Sequence, residues 1–226
     1  MHRPLAGTGP GTITPDGCAV ELYARLPAFG EPEIVHGAVP AGASVLDLGC
    51  GTGRILRPLA ALGHPVLGVD ESPEMLAHCD GLATVRASID ELRLDRRFDA
   101  VLMASNLVNN PDEPQRIGWL AVAARHLADR SSQVLIQQHP PGWFDNLRAG
   151  SSTRAGITYG LRDIEREGPL VAATAEYRIG DDVWTHSFTT SQVTEDQLTA
   201  SLRAAGLRFD RWLTDDHGWL AARPAD

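Results

Sequence analysis

Five residues, Gly49-Cys50-Gly51-Thr52-Gly53, follow the apolar run SVLDL (44–48), whose Asp47 places a carboxylate just upstream. Glycines let a backbone turn sharply and let a ligand approach without meeting a Cβ. A second carboxylate, Asp70, closes the next apolar run, PVLGVD (65–70). An acid at the end of the second strand of an open parallel sheet can accept hydrogen bonds from both hydroxyls of a ribose. A dinucleotide loop reads G-x-G-x-x-G, and its third glycine packs helix against strand. Here Arg54 stands in that place. The start of the following helix is therefore less suited to a pyrophosphate, and Asp47 suits a ligand that carries an ammonium group.

Three stretches then resemble the motifs of class I S-adenosylmethionine-dependent methyltransferases. LDLGCGTG (46–53) resembles their first motif, VDESPEML (69–76) their second and FDAVLMA (98–104) their fourth. The resemblance spans roughly residues 17–138 and again 194–222. More loosely, it extends to small methyltransferases of natural-product-rich bacteria. It implies S-adenosylmethionine as cofactor, S-adenosylhomocysteine as product, and methyl transfer to nitrogen or oxygen of a small metabolite. By the same resemblance, Gly49, Gly51 and Gly53 wrap the methionine part of the cofactor, and Asp47 orients the loop or the ammonium group. Asp70 holds the ribose, with Glu71 and Met75 beside the adenine. Ala104 offers a backbone carbonyl near the ammonium, and Tyr23 caps the methionine carboxylate. Many relatives place an acid after the third strand to receive the adenine amino group. In VRASIDEL (85–92) Ser88 stands there instead, able to accept a hydrogen bond, with the Ile89 N–H beside it as donor. Cys50, inside the loop, reads as a small filler rather than a reactive thiol.

Methyl transfer from a sulfonium needs alignment, exclusion of water and sometimes removal of a proton. The groups for this belong at the ends of the fourth and fifth strands. The fourth ends in Ser105-Asn106-Leu107-Val108-Asn109-Asn110-Pro111, where Asn106 is a catalytic candidate and Asn109 a substrate ligand. The same residues also read as a turn. The fifth ends in Gln138-His139-Pro140-Pro141-Gly142-Trp143. His139 is the candidate base and Trp143 a surface on which a substrate stacks. His186 lines either the substrate pocket or a packed face. Two other readings stay open: a protein that keeps the pocket for binding, regulation or cyclisation without methylating, and a dinucleotide-dependent oxidoreductase.

These residues need a frame. Strands at 44–48, 65–70, 83–87, 98–105 and 132–138 alternate with amphipathic helical segments, so the expected domain is a doubly wound α/β fold. The resemblance implies a mostly parallel seven-stranded sheet with one reversed strand near its edge. Ser72-Pro73-Glu74 reads as a helix start, and Thr194-Glu195-Asp196-Gln197 as a capping box. LVAATAEYRI (170–179) and VWTHSF (183–188) alternate in period two about a turn at 180–182. They imply an antiparallel meander inserted after the fifth strand, over 150–190, as roof of the substrate pocket or contact to a second copy. Residues 1–16, rich in Gly, Pro and Thr, read as a flexible arm before a single domain at 17–226.

Composition narrows the partners. The net charge is −9, and all 20 basic residues are Arg. An acidic surface gains nothing on a phosphate backbone, which disfavours nucleic acid. The fourth strand also lacks the Asn/Asp-Pro-Pro-Tyr step of base methyltransferases. Apolar runs are too short for a bilayer, and the first residues lack the apolar core of a secretory signal. Three cysteines without paired spacing fit a reducing cytoplasm. Eight scattered histidines predict no metal site.

Overall fold

The fully buried run VLDL and its neighbour AVLM can only be central strands, because apolar side chains leave both faces of each strand needing cover. In a computed structural model, which describes residues 5–225, that is where they lie. In chain order the elements are β1 (Ala6–Thr8), α1 (Val20–Arg25), α2 (Glu31–Ala38), β2 (Val45–Leu48), α3 (Leu56–Ala61), β3 (Val66–Asp70), α4 (Pro73–Leu76), β4 (Thr84–Arg86), β5 (Ala100–Met103), α5 (Glu113–Arg125), β6 (Gln133–Gln137), α6 (Pro141–Asn146), β7 (Gly150–Arg154), β8 (Ile157–Glu167), β9 (Leu170–Ile179), β10 (Asp182–Ser191), α7 (Glu195–Ala204), β11 (Leu207–Trp212) and β12 (Trp219–Pro224). A 3-10 turn covers Leu107–Asn109.

The main sheet has seven strands in the order β11-β12-β6-β5-β2-β3-β4. Its pairings are parallel from β6 to β4, and β12 runs antiparallel to both its neighbours. The expected reversed strand is therefore β12, one in from the edge. Alternate residues feed opposite faces. Leu46, Val101, Met103, Val134 and Ile136 pack with Leu120 of α5 and Leu198 and Leu202 of α7. Val45, Leu102 and Leu135 pack with Val35 of α2 and Leu59 of α3.

Local signals set the helix ends. The Ser72 hydroxyl accepts the Met75 N–H at 3.1 Å, with Pro73 in the first turn. Such a cap is worth about 1 kcal/mol. Thr194 and Gln197 complete the capping box that opens α7, and Gly206 follows that helix at φ +76°.

The second sheet is antiparallel, in the order β1-β10-β9-β8-β7. Trp184 faces Tyr177, and Tyr177 faces Tyr159, so β8, β9 and β10 present these three rings on one side. The N-terminal segment departs from expectation. Residues 5–16 are not a free arm: β1 pairs with β10, Ala6 opposite Ser187 and Thr8 opposite Thr185. The Trp184 Nε1–H donates to the Pro10 carbonyl at 2.9 Å. The physical reason is that β10 would otherwise leave an open edge of backbone donors and acceptors. The path is also tight, since a Cβ on Gly7 would lie 2.0 Å from the Gly17 carbonyl oxygen. Residues 1–4 of the expected arm lie outside the described residues. Among the described residues no helix is long and apolar enough to cross a membrane, and no group of three His, Cys, Asp or Glu could hold a metal ion.

Candidate active site

The glycine loop leaves β2 and is tied at both ends. The Gly49 and Cys50 N–H groups donate to the Val69 carbonyl at 2.8 and 2.9 Å. The Gly51 N–H donates to Asp70 Oδ2 at 2.8 Å, and the Ser72 N–H to Asp70 Oδ1 at 2.9 Å. Asp70 therefore holds the loop and the start of α4, while each oxygen keeps a further lone pair for a ligand. Gly49, Gly51 and Gly53 have φ of +76°, +54° and +76°. A Cβ on Gly51 would meet nothing within 4 Å, whereas one on Gly53 would press on Leu82 and Cys79 at 3.0 and 3.1 Å. One side of the loop is thus packed and the other open, a cradle in which a ligand can lie against bare backbone. The first helical residue is Leu56, three past the last glycine, so the helix end stands back from the loop.

Asp47 is buried, and its carboxylate makes no hydrogen bond to a described residue. Burial pushes its pKa up to about 7, opposed by Arg54 and reinforced by Asp70. The unfolded value is 3.8, so the folded chain holds this proton more tightly. Stability from this group therefore falls as pH rises from about 4 to about 7, by roughly 4 kcal/mol when complete. A cationic group bound beside it offsets that cost. The orphaned carboxylate and the open cradle fit a nucleoside that carries an ammonium group.

The leading helix lies over this loop. The Thr52 hydroxyl donates to the Tyr23 carbonyl at 3.0 Å. The Tyr23 phenol receives the Cys18 thiol at 3.7 Å, and burial, with Cys18 and Tyr177 beside it, raises its pKa. Arg54 reaches Glu31 at 2.7 Å. Cys50 points away from the open side: its Sγ would lie 2.6 Å from a Cβ on Gly68, and a hydrogen bond with Cys79 and burial hold its pKa up. It fills space behind the loop. Met75 is buried under the start of α4, and Glu71 is exposed, its carbonyl receiving Arg86 at 3.2 Å. Ser88 and Ile89 follow β4 on the same edge, half-buried; the Ser88 hydroxyl accepts the Glu91 N–H at 3.3 Å. The Ala104 carbonyl accepts the Leu107 N–H at 3.3 Å and keeps a second lone pair.

Beyond Ala104, Ser105 and Asn106 both take left-handed backbone, φ +55° and +59°. Such residues carry strain and collect at functional sites. The Gln137 side chain holds the Ser105 N–H at 2.7 Å. The Asn106 side chain is half-buried and makes no hydrogen bond to a described residue. Asn109, expected to face substrate, is turned inward: it is 2% exposed and both ends of its amide are bonded within the protein. His139 stacks on Trp143, centroids 3.9 Å apart and planes 10° apart, with the edge of Phe144 at 5.6 Å. Burial lowers its pKa to about 4, and neither ring nitrogen bonds a described residue. The His186 Nε2–H donates to the Asp16 carbonyl, 3.2 Å away, which ties this ring to the N-terminal segment.

The structure thus gathers the loop, Asp47, Asp70, Ala104, Asn106 and His139 on the carboxyl edge of the main sheet. β6 lies two strands from β2, so His139 stands roughly 10 Å from the loop across the sheet. Sequence reasoning missed Tyr159 and Tyr177. The Tyr159 hydroxyl is buried without a partner among the described residues, and burial, with Cys18 and Tyr159 nearby and Arg54 opposing, pushes Tyr177 up to about 12. Period-two alternation had placed Tyr177 on the apolar face, but no local signal says which element that face meets.

The methyltransferase-domain family matches residues 45–130. The chain is 27% identical over 196 residues to the dTDP-4-amino-2,3,4,6-tetradeoxy-D-glucose N,N-dimethyltransferase of Saccharopolyspora spinosa, across 79% of this chain and 76% of that protein. The solved structure of the CcbJ methyltransferase from Streptomyces caelestis aligns with a TM-score of 0.72 at 21% identity, covering 92% of this chain and 96% of that one. The sugar N-methyltransferase KedS8 from a Streptoalloteichus species aligns with a TM-score of 0.70 at 21% identity, covering 97% and 98%. At those identities the two structures share the fold of this chain.

Proposed function

We propose that this chain is a class I S-adenosylmethionine-dependent methyltransferase acting on a small molecule, and that it methylates an amine nitrogen in a chamber between the carboxyl edge of the main sheet and the inserted antiparallel sheet, a reading supported by the matched methyltransferase domain and the curated relative. The observation that carries this choice is His139, a neutral imidazole with free ring nitrogens and a pKa near 4. An aliphatic hydroxyl must lose its proton as it attacks, and so weak a base gives little help. An unprotonated amine attacks with its own lone pair and needs only to be aimed. The curated relative named above, an N,N-dimethyltransferase of an amino sugar, supports the same choice.

S-adenosylmethionine, when bound, supplies a methyl group already activated by the sulfonium. The residues of the chain do the rest. Gly49, Gly51 and Gly53 would bring backbone against the methionine part, Asp47 would face its ammonium, and Tyr23 would lie over its carboxylate. Asp70 would hold the ribose hydroxyls, with Glu71, Met75, Ser88 and Ile89 around the adenine. The apolar walls at Trp143 and Phe144 favour the uncharged form of the incoming amine. His139 accepts a hydrogen bond from its N–H and turns the lone pair toward the methyl, with Asn106 as second polar contact. With the cofactor bound, the amine nitrogen aimed in this way would take the methyl as the C–S bond broke, and the methylated ammonium would give its extra proton to water. The test is transfer of an isotopically labelled methyl to matched pairs of amino sugars and their hydroxyl analogues. Label should enter the amines alone; label confined to the hydroxyl analogues would overturn the reading.

A further inference from the structure

Asn109 joins three segments that are far apart in the chain. Its Oδ1 accepts the His139 N–H at 2.9 Å, and its Nδ2 donates to the Ser191 carbonyl at 3.0 Å. Its own carbonyl receives the Thr190 hydroxyl at 3.3 Å. Among short side chains, only a primary amide offers a donor and an acceptor in this fork. The two contacts differ in kind. Ser191 ends β10, where the inserted sheet returns to the main fold. His139 opens the loop after β6, and the next two residues, Pro140 and Pro141, carry no N–H. The His139 N–H is thus the last backbone donor before Gly142, and Asn109 is what holds it.

We propose that Asn109 is a positioning residue that sets the His139 ring against Trp143 and fixes the root of the inserted sheet to the same point. Floor and roof of the chamber then share one anchor. This inference rests on the reading of His139 as the group that aims the amine. It explains why a polar residue at the end of the fourth strand is buried rather than offered to substrate. The Asn109 backbone N–H also donates to the Asn106 carbonyl at 2.8 Å, closing the turn that follows the left-handed pair Ser105 and Asn106.

The clamp can be read without a substrate, from the imidazole Cε1–H resonances, with His139 assigned by its loss in His139→Ala. In the unaltered protein the His139 signal should stay flat between pH 5 and 8, because burial keeps its pKa near 4. In Asn109→Ala the loop is released, the ring meets water and the signal should titrate, its midpoint moving toward the ordinary 6.5. Asn109→Asp keeps an oxygen for the His139 N–H while losing the donor to Ser191. It should keep the upfield ring-current shift that the stacked Trp143 gives the His139 resonance, a shift the alanine variant should lose, and it serves as the test if the alanine variant does not fold. S-adenosylhomocysteine affinity should change less than twofold in both variants. A flat signal in Asn109→Ala, or an Asp variant that has lost the ring-current shift from Trp143, would overturn the proposal. Full methyl transfer by His139→Ala would instead remove the role given to His139, while the titration still decides whether Asn109 holds that loop.

Discussion

Replacing Asp70 with alanine should weaken S-adenosylhomocysteine binding about 10²- to 10⁴-fold in calorimetry. Two charge-assisted hydrogen bonds to ribose hydroxyls contribute about 1.5–3 kcal/mol each, and each 1.4 kcal/mol is about tenfold. The loss should lie at the upper end, because the same carboxylate also fixes the Gly51 and Ser72 N–H groups. Asp70→Asn should fall between the two. Its one oxygen can keep the Gly51 contact, but its NH₂ would then face the Ser72 N–H, donor against donor. Thermal melting of both variants in the absence of ligand separates a disordered loop from a lost ribose contact. Affinity unchanged in a normally melting Asp70→Ala protein would show that the ribose is held elsewhere.

His139→Ala should lower kcat about 10²-fold, the cost of an amine that is bound but misdirected. Cofactor affinity should change little, since the proposed cofactor contacts lie mainly on β2 and β3. His139→Gln should restore much of the rate if the side chain only accepts a hydrogen bond, because an amide oxygen can do the same. It should restore almost nothing if the ring must carry a proton away. The pH profile makes the same distinction. With the His139 pKa near 4, kcat/KM should rise with the deprotonation of the substrate amine and show no inflection from His139 between pH 5 and 8. An inflection near 6.5 that disappears in His139→Ala would assign the ring to proton removal after all.

What could be read from the sequence was local in origin. The glycine loop and Asp70 lie within 21 residues of one another on neighbouring parallel strands, and the registry of β2 with β3 follows from that short crossover. Ser72 and Thr194 announce helix starts because a cap is a matter of three or four residues. Long-range pairing was harder. A Gly- and Pro-rich start looks flexible, yet β1 completes the edge of β10, 181 residues later at Ala6 and Ser187. Asn109 looked like a substrate ligand because it ends a strand on the right edge of the sheet. Its true partners, His139 and Ser191, stand 30 and 82 residues away. Tyr177 could be assigned to a face but not to a neighbour. His139 was found by position alone, while the depth of its burial, which decides between aiming and proton removal, depends on Trp143 and Phe144 folding over it.

The central claim is that a buried acidic cradle holds a nucleoside through its ammonium group. It is tested most directly by calorimetric titration with S-adenosylhomocysteine from pH 5 to 8, with NAD as control. Binding requires Asp47 ionised, and its pKa stands at about 7 in the free protein. Affinity should therefore be flat above pH 7 and fall toward about tenfold per pH unit below it, with no measurable heat from NAD. Affinity independent of pH across that range, or tighter binding of NAD, would contradict the account.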